Sequence, residues 1–286
     1  SATPDNEYTA EALRNCDLTV HVSTKLNRSH LVHGKQALIL PCLGRSEKDI
    51  QESGEQFVSV ENSMGVVHKS NGHLSPASTK LLSEPAIVAG IAESTLKNPT
   101  TKWNSLVTNY DLIRNKIEAT IPGFDNYNQR VREKGGFYLP NNARENNYSP
   151  TLTGKANFTT NLPSDIDLED NQYMLMTIRT HDQYNTTIYG LNDRYRGVLN
   201  ERRVVFMNPD DMKNQGLSKL DSVNLISHFQ GEKRIANGFL VIPYSIPKQC
   251  TATYFPEANV LVPIQSKARI SHTPASKTVI ITVEKG

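Results

Sequence analysis

Residues 173–178 form an apolar run that leads directly into a cluster of arginine, hydroxyl and amide side chains: Arg179, Thr180, Gln183, Asn185 and Thr186. This is the set needed to hold phosphate oxygens and a hydrogen-bonding heterocycle. Arg179 leads it, because a guanidinium at the end of a buried strand can fork two hydrogen bonds to an oxyanion; an internal salt bridge is its plain structural reading. A polar turn is the plain alternative for Asn185 and Thr186. Downstream, Asn259 precedes Val260 and Leu261, and Lys277 precedes a final β-rich run at 279–283. An Asx-type turn and a solvated lysine are the bland alternatives there.

Other chemistries find less support. His181 and Asp182 are adjacent, but no G-x-S-x-G elbow accompanies them, so a hydrolase triad is not indicated. His30 and His33 lack the acidic or thiol companions of a metal-ligand pattern, and His68 and His73 flank a loop-like stretch. Neither G-x-G-x-x-G nor a Walker sequence occurs, so phosphate contacts would come from loops at strand ends.

Those loops need strands to carry them. Short β-rich runs at 203–207, 222–226 and 238–243 are separated by Asn208-Pro209-Asp210-Asp211 and Gln230-Gly231-Glu232-Lys233 turn signals, a spacing that predicts an all-β barrel. Earlier, residues 17–41 read as strand, polar loop with helix, strand, an α/β unit whose ligand groups sit at the strand's carboxyl end. Ser23, Thr24, Lys25 and Asn27 occupy that position, where they also suit a simple loop and helix cap. A short helix is expected over 7–15 and an N-capped amphipathic helix over 83–96, with Ile87, Val88, Ile91 and Leu96 as its core face. A further helix is expected over 103–121, with Leu106, Tyr110, Ile113 and Ile117 at helical spacing. Residues 134–164 read as loop and linker with one strand candidate at 153–158, placing a domain boundary near 165.

The order of these parts resembles the molybdopterin oxidoreductases, the superfamily of formate dehydrogenase and dimethyl sulfoxide reductase. The signs are a strand ending Thr177-Ile178-Arg179, then Asn208-Pro209-Asp210-Asp211 with Gly216-Leu217 and Asp221-Ser222-Val223, then Asn259 before a hydrophobic-Leu step, then Pro274 and Lys277. The first half contributes Leu40-Pro41 closing a strand, Glu47, and Asn62-Ser63-Met64-Gly65. The motif at Thr24-Lys25-Leu26-Asn27-Arg28-Ser29-His30 is similar to that of a formate-dehydrogenase-like branch linked by homology to acid resistance.

The resemblance implies α/β plus all-β architecture: a Rossmann-like unit over 1–165 and a double-psi-type six-stranded barrel over 166–286. It implies bis(molybdopterin guanine dinucleotide) with molybdenum or tungsten as cofactor in a longer parent protein. Ser23, Thr24, Lys25, Asn27, Arg179, Thr180, Gln183, Asn185, Thr186, Asn259 and Lys277 would stand near it, with Asn259 offering its amide to the pterin. A histidine often stands where this chain has Gln183, so a proton role there is in doubt. N-terminal domains of the same polypeptide, carrying any [4Fe-4S] cluster and the metal-ligating residue, would lie upstream, and the chain, which opens without methionine, reads as a C-terminal portion that is catalytically silent alone. An electron-transfer partner is implied without being identified. A cofactor-free binding or assembly module that keeps the fold is the rival reading.

Composition sets outer limits. At 286 residues with 37% hydrophobic content, the chain can bury two cores. Lys plus Arg is 31 against 29 Asp plus Glu, a balance that gives no reason to infer nucleic acid or an anionic membrane as partner. Cys16, Cys42 and Cys250 are scattered without C-x-x-C spacing, as in a reducing compartment, and no apolar run approaches the roughly 20 residues of a membrane span, so a cytoplasmic location is expected.

Overall fold

The computed structural model describes residues 2–162, 165–185 and 189–286. It separates an α/β region from a closed six-stranded barrel, within two compact units: residues 1–19, 31–36 and 163–286, and residues 20–30 and 37–162.

The first unit contains the barrel, with strands β1 (Gln172–Ile178), β2 (Val204–Met207), β3 (Ser222–Phe229), β4 (Glu232–Pro243), β5 (Cys250–Tyr254) and β6 (Val279–Lys285). They close in the order β3-β4-β2-β5-β1-β6. β3 and β4 form a hairpin across Gln230-Gly231, both at positive φ, the conformation that a two-residue loop needs to match strand twist. Period-two alternation divides β2 between two clusters. Val205 and Met207 join Leu175, Leu225, Phe239 and Ile281 inside the barrel, while Val204 and Phe206 pack with Ala252 and Tyr254. Asn208 caps the helix Pro209–Asn214 by accepting from the Asp210 N–H at 2.8 Å, and that helix presents Met212 to the interior cluster.

Two pairings decide where the loops go. β1 and β5 run parallel, with Ile178 opposite Tyr254, so the segments leaving them emerge at the same barrel end. β6 runs antiparallel to β1, with Val279 opposite Leu175, so the segment entering β6 arrives at that end too. Topology therefore gathers residues 179, 259 and 277 despite their distance in sequence.

In the second unit, Asp49–Gln51 pairs with Gly54–Gln56, and Val58–Glu61, Val66–Ser70 and Phe137–Tyr138 form a three-stranded sheet. Val67, Tyr127, Val131 and Phe137 make its core. Ser83 caps the helix Glu84–Thr95, accepting from the Ala86 N–H at 3.3 Å and sharing its hydroxyl with the buried Tyr110 OH at 2.6 Å. Of the expected core face of that helix, Ile87 is buried whereas Val88, Ile91 and Leu96 are exposed. Replacing Ser83 with alanine is expected to destabilise this unit by about 1 kcal/mol, measurable as a shift of its urea midpoint.

Two expectations are corrected. The single helix over 103–121 is instead Trp103–Thr108 and Asp111–Thr120, interrupted where Asn109 is extended. The Tyr110 N–H donates to Gln56 Oε1 at 2.9 Å and its OH to Asp49 Oδ2 at 2.5 Å, so side chains distant in sequence replace the helical partner. Residues 153–158 form no strand, since no neighbouring strand pairs with them, and Phe158 stands fully exposed.

Candidate functional site

A cleft of about 540 Å³ opens at the barrel end where β1 and β5 finish and β6 begins. Arg179, Asn259 and Lys277 all line it, together with the hydroxyl residues Thr273 and Ser276 and the ring of Phe255. Among the described residues, no aspartate or glutamate does. The cleft therefore presents cations and neutral hydrogen-bonding groups, the pattern of an anion site.

Each wall is fixed by its backbone. The Arg179 carbonyl accepts from Arg196 Nη1 at 3.1 Å, and Arg196 is held by Asp193 at 2.6 Å. Asp193 is fully buried and accepts from the Tyr254 OH at 2.9 Å. Burial pushes the Asp193 carboxyl up, but hydrogen bonds from Arg196 and Tyr254 more than compensate and hold it below the usual carboxylate range. The Arg179 guanidinium itself lies 5.6 Å from the Phe255 ring centroid and makes no hydrogen bond or ion pair among the described residues. An arginine so held by its main chain, with its fork unengaged, is poised for a ligand.

Asn259 begins the 3₁₀ turn Asn259–Leu261, which buried Leu261 anchors. Its carbonyl accepts from the Asp5 N–H at 2.8 Å, and Asp5 is locked by Arg234, with Nη2 at 2.9 Å and Nε at 3.0 Å. Lys277 donates from Nζ to the Thr177 carbonyl. Burial, with Arg179 beside it, holds the Lys277 ammonium below its ordinary pKa, so an anion entering here relieves a real electrostatic cost.

Other candidate residues fall elsewhere. Thr180 and Gln183 are buried behind the wall: Gln183 Oε1 accepts from the Thr180 N–H at 3.2 Å, and its Nε2 donates to the Phe255 carbonyl at 2.9 Å. Asn185 is exposed at positive φ in a turn that does not line the cleft, and Thr186 lies outside the described residues. In the second unit, Ser23 Oγ donates to the Lys25 carbonyl at 2.7 Å and Asn27 Oδ1 accepts from the Ser29 N–H at 2.9 Å, while Thr24 and Lys25 are exposed. His181 stacks on Tyr195 at 4.0 Å and Asp182 faces Arg194 at 3.9 Å, neither in the cleft. Among the described residues, no group of three His, Cys, Asp or Glu could hold a metal ion.

Sequence reasoning missed Arg202. Its buried guanidinium donates to Glu257 (Nε to Oε1, 2.7 Å; Nη2 to Oε2, 3.1 Å), to the Phe255 carbonyl at 2.8 Å and to Gln183 Oε1 at 3.1 Å. It also lies 3.7 Å from the Tyr189 ring centroid. Arg202 thus bolts the segment after β1 to the segment after β5. Its signal was the Glu201-Arg202-Arg203 run placed directly before four consecutive buried apolar residues.

The family described as Molydopterin dinucleotide binding domain matches residues 173–280, the stretch running from β1 to the start of β6. An uncharacterized oxidoreductase of Mycobacterium tuberculosis is 49% identical over 291 residues, covering 99% of this chain. Residues 173–280 belong to the molybdopterin dinucleotide-binding domain family. Protein YdeP of Escherichia coli is 44% identical over 289 residues, again across 99% of the chain. The chain spans only 37% and 38% of those two relatives' lengths. The acetylene hydratase of Pelobacter acetylenicus shares the fold at a TM-score of 0.54 and 10% identity, covering 99% of this chain and 42% of that one. No helix among the described residues is long and apolar enough to cross a membrane.

Proposed function

We propose that the barrel cleft holds part of a bis(molybdopterin guanine dinucleotide) cofactor, carrying molybdenum or tungsten, in a formate-dehydrogenase-like oxidoreductase of which this chain forms a C-terminal portion. The observation that carries the proposal is the unengaged Arg179 guanidinium, backbone-locked beside Asn259 and Lys277 in a cleft without carboxylates. That donor set fits the group: cations suit the phosphates, and an amide able to donate and accept suits a pterin or guanine edge. A cleft of about 540 Å³ is of ligand-site size. The match of residues 173–280 to the molybdopterin dinucleotide-binding domain family supports the same assignment.

When bound, the metal–pterin group supplies the redox chemistry. The residues of this chain bind and orient. Arg179 and Lys277 neutralise phosphate charge, Asn259 reads a ring edge from a turn that Asp5 holds in place, and Thr273 and Ser276 offer hydroxyls. Substrate contact and any [4Fe-4S] cluster belong, in this reading, to the remainder of the polypeptide, as does contact with the electron partner. Ser23, Thr24, Lys25 and Asn27 are proposed as a second set of contacts, and a cytoplasmic location as the working compartment.

The test is metal and pterin analysis of the full-length polypeptide purified from cofactor-sufficient cells. Wild type is expected to carry molybdenum or tungsten with a guanine-dinucleotide pterin. Arg179→Ala and Asn259→Ala are expected to lower that content by roughly tenfold, the scale of one lost charge-assisted hydrogen bond. Wild type devoid of both metal and pterin would overturn the reading.

A further inference from the structure

Between Glu257 and Glu284 the sequence holds no carboxylate side chain, yet it carries Lys267, Arg269 and Lys277. In a chain whose charges nearly balance, 31 basic against 29 acidic, that stretch is a local concentration of positive charge. Its middle folds back on itself as a hairpin arm over residues 266–275. The Ala275 N–H donates to the Ser266 carbonyl at 2.9 Å, the Ala268 N–H donates to the Thr273 carbonyl at 2.8 Å, and Lys267 stands opposite Pro274 in an antiparallel bridge. His272, at φ 54°, closes the turn, its N–H donating to the Ala268 carbonyl at 3.0 Å. Residues directly opposite in an antiparallel pair carry their side chains on the same face. Pro274 lines the barrel cleft, so Lys267 projects on the cleft side of the arm. Lys267 and Arg269 are exposed, stand outside the cleft lining, and among the described residues make no side-chain hydrogen bond or ion pair.

We propose that this arm is a cationic flap of the cleft, whose Lys267 and Arg269 turn onto phosphate oxygens of the bound ligand outward of those held by Arg179 and Lys277. The inference rests on the cofactor reading of the cleft and adds two binding residues to it. A diphosphate presents oxygens on two phosphorus atoms, more than one arginine fork and one ammonium satisfy. Without a ligand, two further cations over the cleft would be repelled by Arg179 and Lys277, so the arm keeps its charges in solvent; an anion between them reverses the sign of that interaction. The coupling is reciprocal: whatever the ligand gains from the arm, the arm gains in order. An acidic protein surface is the other partner that a basic arm fits. The small anion is favoured because the arm's returning limb, Thr273 and Pro274 with Ser276 just beyond it, is itself a wall of the cleft.

Trypsin cuts after lysine and arginine, so the arm carries its own reporter at Lys267 and Arg269. Full-length polypeptide purified with its cofactor is compared with the same polypeptide from pterin-deficient cells. Nicking at the two sites is read by peptide mass spectrometry against nicking at Lys155, in an exposed stretch of the other compact unit. The arm is expected to be cut about tenfold more slowly in the loaded protein than in the empty one. Equal rates overturn the inference and leave the cofactor reading in place, whether both are fast, as for an arm awaiting an acidic protein, or both slow, as for one already covered in the complete polypeptide. The charges are tested by Lys267→Gln combined with Arg269→Gln. Pterin release from this double variant is expected to be about tenfold faster than from wild type and less steeply accelerated by salt. Release and salt dependence equal to those of wild type would contradict the flap. Digestion of wild type does not depend on how the variant folds. A wild type purified with neither metal nor pterin defeats the cofactor reading itself, and the flap with it.

Discussion

Replacing Arg202 with alanine is expected to destabilise the barrel unit by about 3–5 kcal/mol, the cost of breaking a buried ion pair from one side. The side chains of Arg202 and Glu257 are 3% and 16% exposed, so the remaining carboxylate would have little water to turn to. The Phe255 carbonyl and Gln183 Oε1 lose a donor in the same step, and Tyr189 loses its cation. Lysine is expected to rescue little, because one ammonium cannot reproduce a fork that reaches Glu257, Phe255 and Gln183 together. A doubly apolar pair, Arg202→Met with Glu257→Leu, is expected to recover part of the loss, since no uncompensated charge remains. Urea unfolding midpoints of the three variants measure this; a double variant no more stable than the alanine variant would show that the lost partners, not the stranded carboxylate, set the cost. The consequence reaches the cleft, because Arg202 ties together the segments that carry Arg179 and Asn259.

This strut also marks the limit of what the sequence disclosed. The barrel strands were legible, because apolar runs between Asn-Pro-Asp-Asp and Gln-Gly turns admit few other readings. Arg179, Asn259 and Lys277 were legible as residue types, and the parallel β1–β5 and antiparallel β1–β6 pairings explain why they converge. Thr180 and Gln183 carry the same polar chemistry but point into the buried network, a fate decided by Arg202 some twenty residues away. Local pattern cannot distinguish a polar side chain that faces a ligand from one that satisfies a buried arginine. The break at Tyr110 has the same origin: its spacing is helical, but Gln56, Asp49 and Ser83 outcompete the helix for its backbone and hydroxyl. Residues 18–23 alternate as a strand should, yet alternation does not say which face is covered.

The second large effect concerns acid. Asp193→Asn is expected to lower stability at pH 7 by about 3 kcal/mol, the scale of breaking the buried Arg196–Asp193 ion pair from one side, and to flatten the stability loss that wild type suffers at low pH. In wild type, burial alone raises the Asp193 pKa, but the Arg196 and Tyr254 hydrogen bonds bring it below its ordinary value. The folded state thus binds fewer protons than the unfolded one, whose aspartates titrate near about 3.9. The stabilisation is accordingly present above that pH and lost as pH falls through the folded pKa. Exposed Asp210 and half-buried Asp221 are also shifted down, by Lys248 and by the Ser218 N–H respectively, so wild type alone cannot isolate the effect. The difference between wild type and Asp193→Asn can, because those groups are common to both. Urea midpoints of the two proteins are expected to keep their gap between pH 7 and 5 and to narrow it at pH 3; a gap unchanged down to pH 3 would mean that folding leaves the Asp193 pKa where the unfolded chain has it. Tyr254→Phe tests the cause of the shift. It removes one donor to the carboxylate, costing about 1 kcal/mol at pH 7, and raises the pH at which the remaining stabilisation disappears. Since Arg196 transmits the hold of Asp193 to the Arg179 carbonyl, the same titration bears on the cleft wall as well as on the barrel.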